Sequence, residues 1–522
     1  MQLNYETFKN NIWGASGYLA RGAMGVIFFL PIIIYSVTIL RFSINIPHYD
    51  DYPLLLGFMN NYHDVHSINE FLSLLFSQTA EYKIAFAKMI ALGDYLINNN
   101  LNFVRLTIVG NAALLLTFYL LYKSSVIEKK YKLMALLPIP YLYFQIQYWE
   151  SSTWSIVALN HFYVFCFSLL CIYLLNMQTK ITFLLALLVS VITPFTSTNG
   201  LFVYAIGFIF LVIQHNYKFA FVWLLSSALM IFSYFLNFET AQVPINHVAS
   251  DRILSLSLIK YFFGLIGSSA GFGLEYPSII AGIIIASWFC YLHYKKYYRV
   301  NPVIYFFTIF LIISSIAITI SRNGYGIDIF LYTSRYRLVS TLIIVCAVIA
   351  YLEYFGNFHA TAKIPIMIFA GSVGFMLFSY LLYLPFLSGR YEELKSGING
   401  LSNSNHSNAY QTIVNSAKNG IYHLPNGYID KIRPDYRRSA EAKIKNFIDR
   451  FNGEHSSDTV LTLRINIDRH SPFDSAFHVL LQKPEVIYLF NSGLTPTTIR
   501  EVLHPDANPD LLKSELIIKK KE

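Results

Sequence analysis

Four groups of residues in this sequence have the types and spacing for chemistry. The first is His48-Tyr49-Asp50-Asp51-Tyr52, directly after a long apolar run. Paired carboxylates at the edge of an apolar segment need a reason. In a partly dry site a carboxylate gains proton affinity, so Asp50 or Asp51 can take a proton from a sugar hydroxyl as it attacks. The competing reading is a solvated loop start, with either aspartate capping a helix that begins at Tyr52 or Pro53. The second group is Glu81-Tyr82-Lys83-Ile84, followed by Lys88 and Asp94-Tyr95. On a helix, residues 81, 84 and 88 share a face, so Glu81 and Lys88 can line one cleft, and cations there suit a phosphate. An interfacial helix whose lysines reach toward headgroups is the plainer alternative.

The third group is Ser321-Arg322-Asn323-Gly324-Tyr325-Gly326, with Ser334-Arg335-Tyr336-Arg337 before the next apolar run. A guanidinium offers a planar donor fork that matches phosphate oxygens. Pairing with Asp328, Glu275 or lipid phosphate explains one arginine more easily than three. The fourth group is looser: Trp149-Glu150, Asn160-His161 and Asn199-Gly200 stand at the ends of apolar runs, where polar residues are usually plain interfacial ones. His63-x-x-His66 beside Asp64 has helical ligand spacing but lacks a third fixed ligand, so no metal site is expected. No P-loop, nucleophile elbow or CxxC occurs, and no cofactor is implied.

Elements that position these groups follow from composition. Of 522 residues, 55% are hydrophobic, 17% aromatic and only 13% charged, which points to a bilayer as solvent. Apolar runs near residues 23–40, 104–122, 133–148, 156–175, 181–195, 201–214, 219–236, 278–292, 302–320, 338–352 and 364–386 predict about 11 transmembrane helices, several of them short. The first run reads as a retained span, not a cleavable signal. With Lys9 and Arg21 inside, alternate loops carry Lys123/Lys129/Lys130/Lys132, Lys180, Lys218, Lys295/Lys296/Arg299 and Lys363, all on one side. Tyr261 to Phe272 is apolar but rich in Gly and Ser, and making it a span breaks this pattern, so it is expected to be re-entrant or interfacial. The three arginines of the 322–337 region then lie outside, against the usual bias.

Residues 1–390 hold 22 Lys/Arg and 14 Asp/Glu, whereas the last 132 hold 17 and 16. The expected organisation is therefore an all-α polytopic module (1–390) followed by a water-exposed domain (391–522), joined through the Gly/Asn/Ser-rich stretch Ser396 to Asn408. The first outer loop, 41–102, is far longer than a hairpin needs, and Ile68 to Phe76 and Ile84 to Ile97 have amphipathic spacing. The last domain mixes the basic amphipathic stretch Arg437 to Phe451 with strand-like runs Thr459 to Ile467 and Val486 to Phe490, and reads as α/β. An odd span number puts it outside, which in a bacterial envelope is the periplasm beyond the inner membrane. The four cysteines all fall in apolar runs, excluding a disulfide scaffold at the C-terminus. No basic stripe interleaved with aromatics appears, so nucleic acid is not an expected partner.

An acidic pair opening a long first outer loop, amphipathic loop helices, about eleven spans and a C-terminal outer domain together resemble the GT-C superfamily of membrane glycosyltransferases. Within it the chain is similar to bacterial serotype-converting glucosyltransferases of O-antigen modification and related envelope proteins. The elements that carry this are Glu81-Tyr82-Lys83-Ile84 with Lys88, Arg322 to Gly326, and Ser334 to Tyr336. Lysine stands at 83 and 88 where the resemblance implies arginine. The resemblance implies an inverting hexosyltransferase that uses a polyprenyl-phosphate-linked sugar and a lipid-linked or lipopolysaccharide glycan acceptor. In that reading Asp50, with Asp51 as alternative, is the base. Glu81, Lys83, Lys88, Asp94, Glu150, Arg322, Arg335, Tyr336 and Arg337 contact substrate. The alternatives are an O-antigen polymerase, also periplasmic in its chemistry, and a flippase or transporter of lipid-linked oligosaccharide. A transporter should show inverted repeats and mid-span charges, whereas here the charges sit at span ends.

Overall fold

The computed structural model describes residues 15–79, 82–239, 256–355, 363–396, 409–423, 460–466 and 513–519. Eight of its helices are long and apolar enough to cross a membrane: Gly22–Phe42, Phe103–Ser124, Ser155–Asn176, Tyr217–Phe235, Glu275–Tyr294, Pro302–Ser321, Ser334–Phe355 and Ile366–Lys395. The chain is a mostly helical, multi-pass membrane protein. Long helices dominate because a backbone in hydrocarbon has to satisfy its own polar groups. Pro31 and Pro385 lie inside two of them.

Where about eleven spans are expected, several of them short, eight helices are long enough to cross. Lys180–Phe195 and Thr198–Ile213 are shorter apolar helices, each about 24 Å long at 1.5 Å per residue, against ~30 Å of hydrocarbon. The run at 133–148 is broken into Lys129–Ala135, Pro138–Tyr143 and a single tight turn at Ile146–Tyr148. Pro138 marks the first break: it lacks the N–H that would continue the helix ending at Ala135, yet it starts a new helix readily.

The chain packs as two compact units: Met1–Ser43, Leu72–Ile90 and Val104–Arg390 form the first; Ile44–Phe71, Ala91–Phe103 and Tyr391–Glu522 form the second. In the first unit, contacts sort the loops into two ends. Glu353 accepts hydrogen bonds from the Tyr297 hydroxyl (2.5 Å), Asn301 Nδ2 (3.0 and 3.1 Å) and the Val126 N–H (3.0 Å). Asn301 also donates to Ser124 O, and Lys132 Nζ to Ser125 O. Phe210 packs on Phe306 near the start of Pro302–Ser321, and Gln214 bonds Gln178. Loops bearing Lys123 to Lys132, Lys180, Lys218 and Lys295 to Arg299 thus gather at one end. Arg322 and Arg335 lie at the other.

The broken segment passes from the first of these ends to the second, because Lys132 sits at Ser125 while the carbonyl of Gln147 accepts from Ser334 Oγ (2.8 Å) beside Arg335. Helix Leu256–Gly267 is tied to the arginine end at Lys260 and at the turn that follows it. Its Lys260 pairs with Glu275 on the outgoing helix (2.5 Å), and the intervening turn bonds Ser340 and Thr341 through Ser269. Gly267 and Gly282 let these two backbones touch, since a side chain on either would collide with a carbonyl of the other helix.

In the second unit, Ile44–Phe71 and Ala91–Phe103 are knitted to the chain after 390. Leu101 N–H donates to Ile421 O (2.7 Å), the Tyr422 hydroxyl to Asn45 O (2.7 Å), and Asn60 Nδ2 to Thr412 O (3.1 Å). Helix Ala409–Lys418 belongs here, with antiparallel strands Val460–Asn466 and Lys513–Lys519 paired in register from Val460 with Lys519 to Asn466 with Lys513. The first of those strands falls within the expected run Thr459 to Ile467. Arg437 to Phe451, Val486 to Phe490 and the linker at 397–408 lie outside the described residues.

Candidate functional site

At the arginine end of the first unit is a cavity of about 430 Å³. Its lining is mixed: Arg322, Arg335, His161, Asn199, Thr198 and Tyr82 are polar, and Val164, Phe165, Phe202, Phe235, Ile318 and Val339 are apolar. One cavity therefore offers cations, neutral polar groups and hydrocarbon.

Each polar residue is placed by a break in a helix. Arg322 terminates Pro302–Ser321, its N–H still bonded to Ile318 O. Arg335 lies on the single turn Ser334–Tyr336, between Thr333 and the last-but-one long span. Ser334 anchors that turn by donating to Gln147 O and accepting from the Glu150 N–H (3.2 Å). The Arg335 guanidinium stacks 5.4 Å from the Tyr336 ring, and its buried Nε has no hydrogen-bond partner among the described residues. His161 stands on a wide π-helical turn, Ala158–Phe162, a local distortion that recurs at functional sites. Asn199 sits where Pro194 ends one short helix and Gly200 opens the next. A Cβ at Gly200 would lie 2.6 Å from Thr193 O, so only glycine allows that close approach. Asn199 Nδ2 donates to Ser314 Oγ (3.2 Å), leaving a buried Oδ1 without a partner among the described residues.

The first-loop residues are held beside this cavity's walls in defined ways. Lys83 is buried; its Nζ donates to Leu236 O (2.9 Å) and its N–H to the Tyr234 hydroxyl, which bonds Thr198 Oγ1 (2.9 Å). Burial lowers its ammonium pKa. Lys83 thus staples the loop that carries Tyr82. Glu81 lies outside the described residues.

Other expected substrate contacts have different tasks. Lys88 is 2% exposed and directs its ammonium at Leu74 O, Leu75 O, Ser77 O and Ser77 Oγ, at 2.7 to 3.3 Å. It closes the C-terminal end of helix Ile68–Leu75, where carbonyls lack partners, and desolvation pushes its pKa down to about 8. Arg337, the residue after the cavity's Tyr336, turns away: it donates to Leu331 O (2.6 Å) and the Tyr383 hydroxyl, with the Tyr383 ring 4.5 Å away. Glu150 contributes its backbone, the N–H to Ser334 and the carbonyl to Arg390 Nη1 (3.1 Å).

The carboxylates of the second unit divide similarly. Asp51 is 1% exposed and accepts the His48 N–H through Oδ2 (3.0 Å), while Asp50 is half-buried. Tyr49 between His48 and Asp50 has φ +39°, a strained backbone for a residue with a side chain and of the kind that gathers at functional sites. Asp94 accepts from the Asn102 N–H (3.0 Å) and Asn98 Nδ2 (3.1 Å), tying down the end of its helix. His63 and His66 border an open groove of about 510 Å³ with Tyr62 and Tyr95. Among the described residues no group of three or more His, Cys, Asp or Glu is arranged to hold a metal.

Sequence reasoning singled out Arg322, Arg335 and Tyr336, which do line one cavity. It underrated His161 and Asn199, whose only sequence signal was a polar residue at the end of an apolar run. No family model, curated protein or solved structure matches the chain.

Proposed function

We propose that the protein is an inverting glycosyltransferase that moves a hexose such as glucose from undecaprenyl phosphate to a lipopolysaccharide O-antigen or other envelope glycan on the periplasmic face. The observation that carries this reading is the mixed cavity: Arg322 and Arg335 share its lining with Val164, Phe165, Phe202 and Phe235, at the ends of membrane-length helices. That pairing suits an amphiphile with a phosphate beside an isoprenoid. In the reaction, the acceptor oxygen bonds to the anomeric carbon as the bond from that carbon to the phosphate oxygen breaks. The acceptor's proton goes to a carboxylate, assigned here to Asp50, and the carrier leaves as a phosphate monoester with one more negative charge. Preorganised guanidiniums favour that added charge. One displacement inverts the sugar.

The topology proposed with it has eleven crossings: the eight long helices, the two shorter ones as a pair, and the broken segment 129–148. The arginine end faces the periplasm, because the lysine-bearing loops collect at the opposite end. The C-terminal region is proposed as a periplasmic α/β domain of the bacterial inner membrane protein. Purified protein incubated with undecaprenyl-phosphoryl glucose and an envelope fraction as acceptor should release undecaprenyl phosphate, detected by mass spectrometry. No release with any polyprenyl-phosphoryl hexose would remove the proposal.

A further inference from the structure

Phosphate recognition accounts for the arginines of the cavity but leaves Asn199 unexplained. Its side chain is held rigidly: Nδ2 is bonded to Ser314 Oγ on the neighbouring span, and the backbone is locked by the contact of Gly200 with Thr193 O. The atom left over is an acceptor, Oδ1, buried without a partner among the described residues. A buried carbonyl oxygen without a donor is costly, and buried polar groups are nearly always satisfied. Phosphodiester oxygens accept hydrogen bonds and carry no proton, so a bare anion cannot complete this site. A hydroxyl can. Arg335 lines the same cavity, and its Nε is a buried donor, likewise without a partner among the described residues, that calls for an acceptor.

Resting on the reading of this cavity as a lipid-phosphate site, we infer that Asn199 reads a sugar hydroxyl adjacent to the phosphate and so adds affinity for the glycosylated carrier that the bare one does not gain. The two orphan atoms then have complementary partners in one ligand: Arg335 Nε takes a phosphate oxygen and Asn199 Oδ1 takes an O–H from the ring. The neutral amide is suited to this, since a carboxylate at 199 would share the cavity with two guanidiniums and neutralise them. A site built to bond a hydroxyl rejects the analogue that lacks it far better than an apolar pocket rejects an extra group.

The test is binding to the full chain in phosphatidylcholine nanodiscs, with undecaprenyl phosphate, undecaprenyl-phosphoryl glucose and undecaprenyl-phosphoryl mannose as probes. Asn199→Ala should weaken binding of at least one glycosylated probe roughly tenfold, the size of one good hydrogen bond in a site that excludes water, while leaving affinity for bare undecaprenyl phosphate intact, which also reports that the variant is folded. Ser314→Ala, which frees the amide to turn, should weaken the glycosylated probe in the same direction. A ratio of glycosylated to bare affinity unchanged in Asn199→Ala overturns the inference and leaves the phosphate site standing. Failure of wild type to bind even the bare phosphate removes the underlying reading as well. Competition by phosphatidylglycerol that is equally sensitive to Asn199→Ala would assign the cavity to a membrane lipid's hydroxyl, against the inference.

Discussion

Replacing Arg335 by glutamine tests the proposed chemistry most directly, because the side chain lines the cavity yet supports little else. Its Nε has no partner among the described residues, and its contact with Tyr336 is a stacking one. Two unit charges ~4 Å apart interact by about 4 kcal/mol at an effective dielectric near 20, a value suited to a half-buried site. As the sugar departs, the phosphate gains one negative charge. If about half of it has developed at the transition state, losing one guanidinium costs ~2 kcal/mol, roughly thirtyfold in kcat. Donor binding should suffer less, since in the ground state attraction is largely offset by desolvation of both groups. The expected result for Arg335→Gln is therefore a fall in kcat with a smaller rise in KM for the donor. Arg335→Lys should recover part of the rate, retaining charge without the planar fork. The assay is the rate of undecaprenyl phosphate release at saturating and limiting donor. A raised KM at unchanged kcat would mean that Arg335 only holds the ground state, and no change in either would refute a role in the site.

Three further outcomes are expected. Asp50→Asn should lower transfer by ~10²- to 10⁴-fold with donor binding intact, whereas Asp51→Asn should chiefly disturb the turn that Asp51 holds through His48 N–H; full activity in both and in the double variant would sink the carboxylate-base assignment. Lys88→Met should lower the thermal midpoint at pH 7 by leaving the end of helix Ile68–Leu75 without its donors. It should also abolish a pH dependence. Lys88 titrates near 8 when folded and near ~10.4 when unfolded, so the unfolded chain binds more protons between those values and this residue's contribution to stability rises across that window. Identical pH profiles for variant and wild type from about pH 8 to 10 would contradict the burial of that ammonium. Finally, reporters fused after Asn60 and after Ser388 should both register the periplasm; a cytoplasmic signal at either would reverse the proposed orientation.

The sequence alone determined the class of solvent and most of the long helices, because the apolar character of about twenty consecutive residues is a local property that a bilayer reads directly. It also exposed Arg322 and Arg335, since cations in an outer loop violate a bias that only local position defines. Pro138 was legible as a helix breaker, although a window that counts apolar residues passes over it. Tertiary structure decided the rest. Lys88 has the composition of a phosphate ligand, but the end of another helix claims its ammonium. Arg337 differs from Arg335 only in which face of one turn it occupies, and that turn's direction is set by Ser334 bonding to Gln147, nearly two hundred residues away. Asn199 and His161 look like any polar residues at helix ends until packing brings them to one cavity. Hydropathy is a sum over neighbours in sequence, whereas a binding site is a set of directions converging from distant segments, and only packing supplies those.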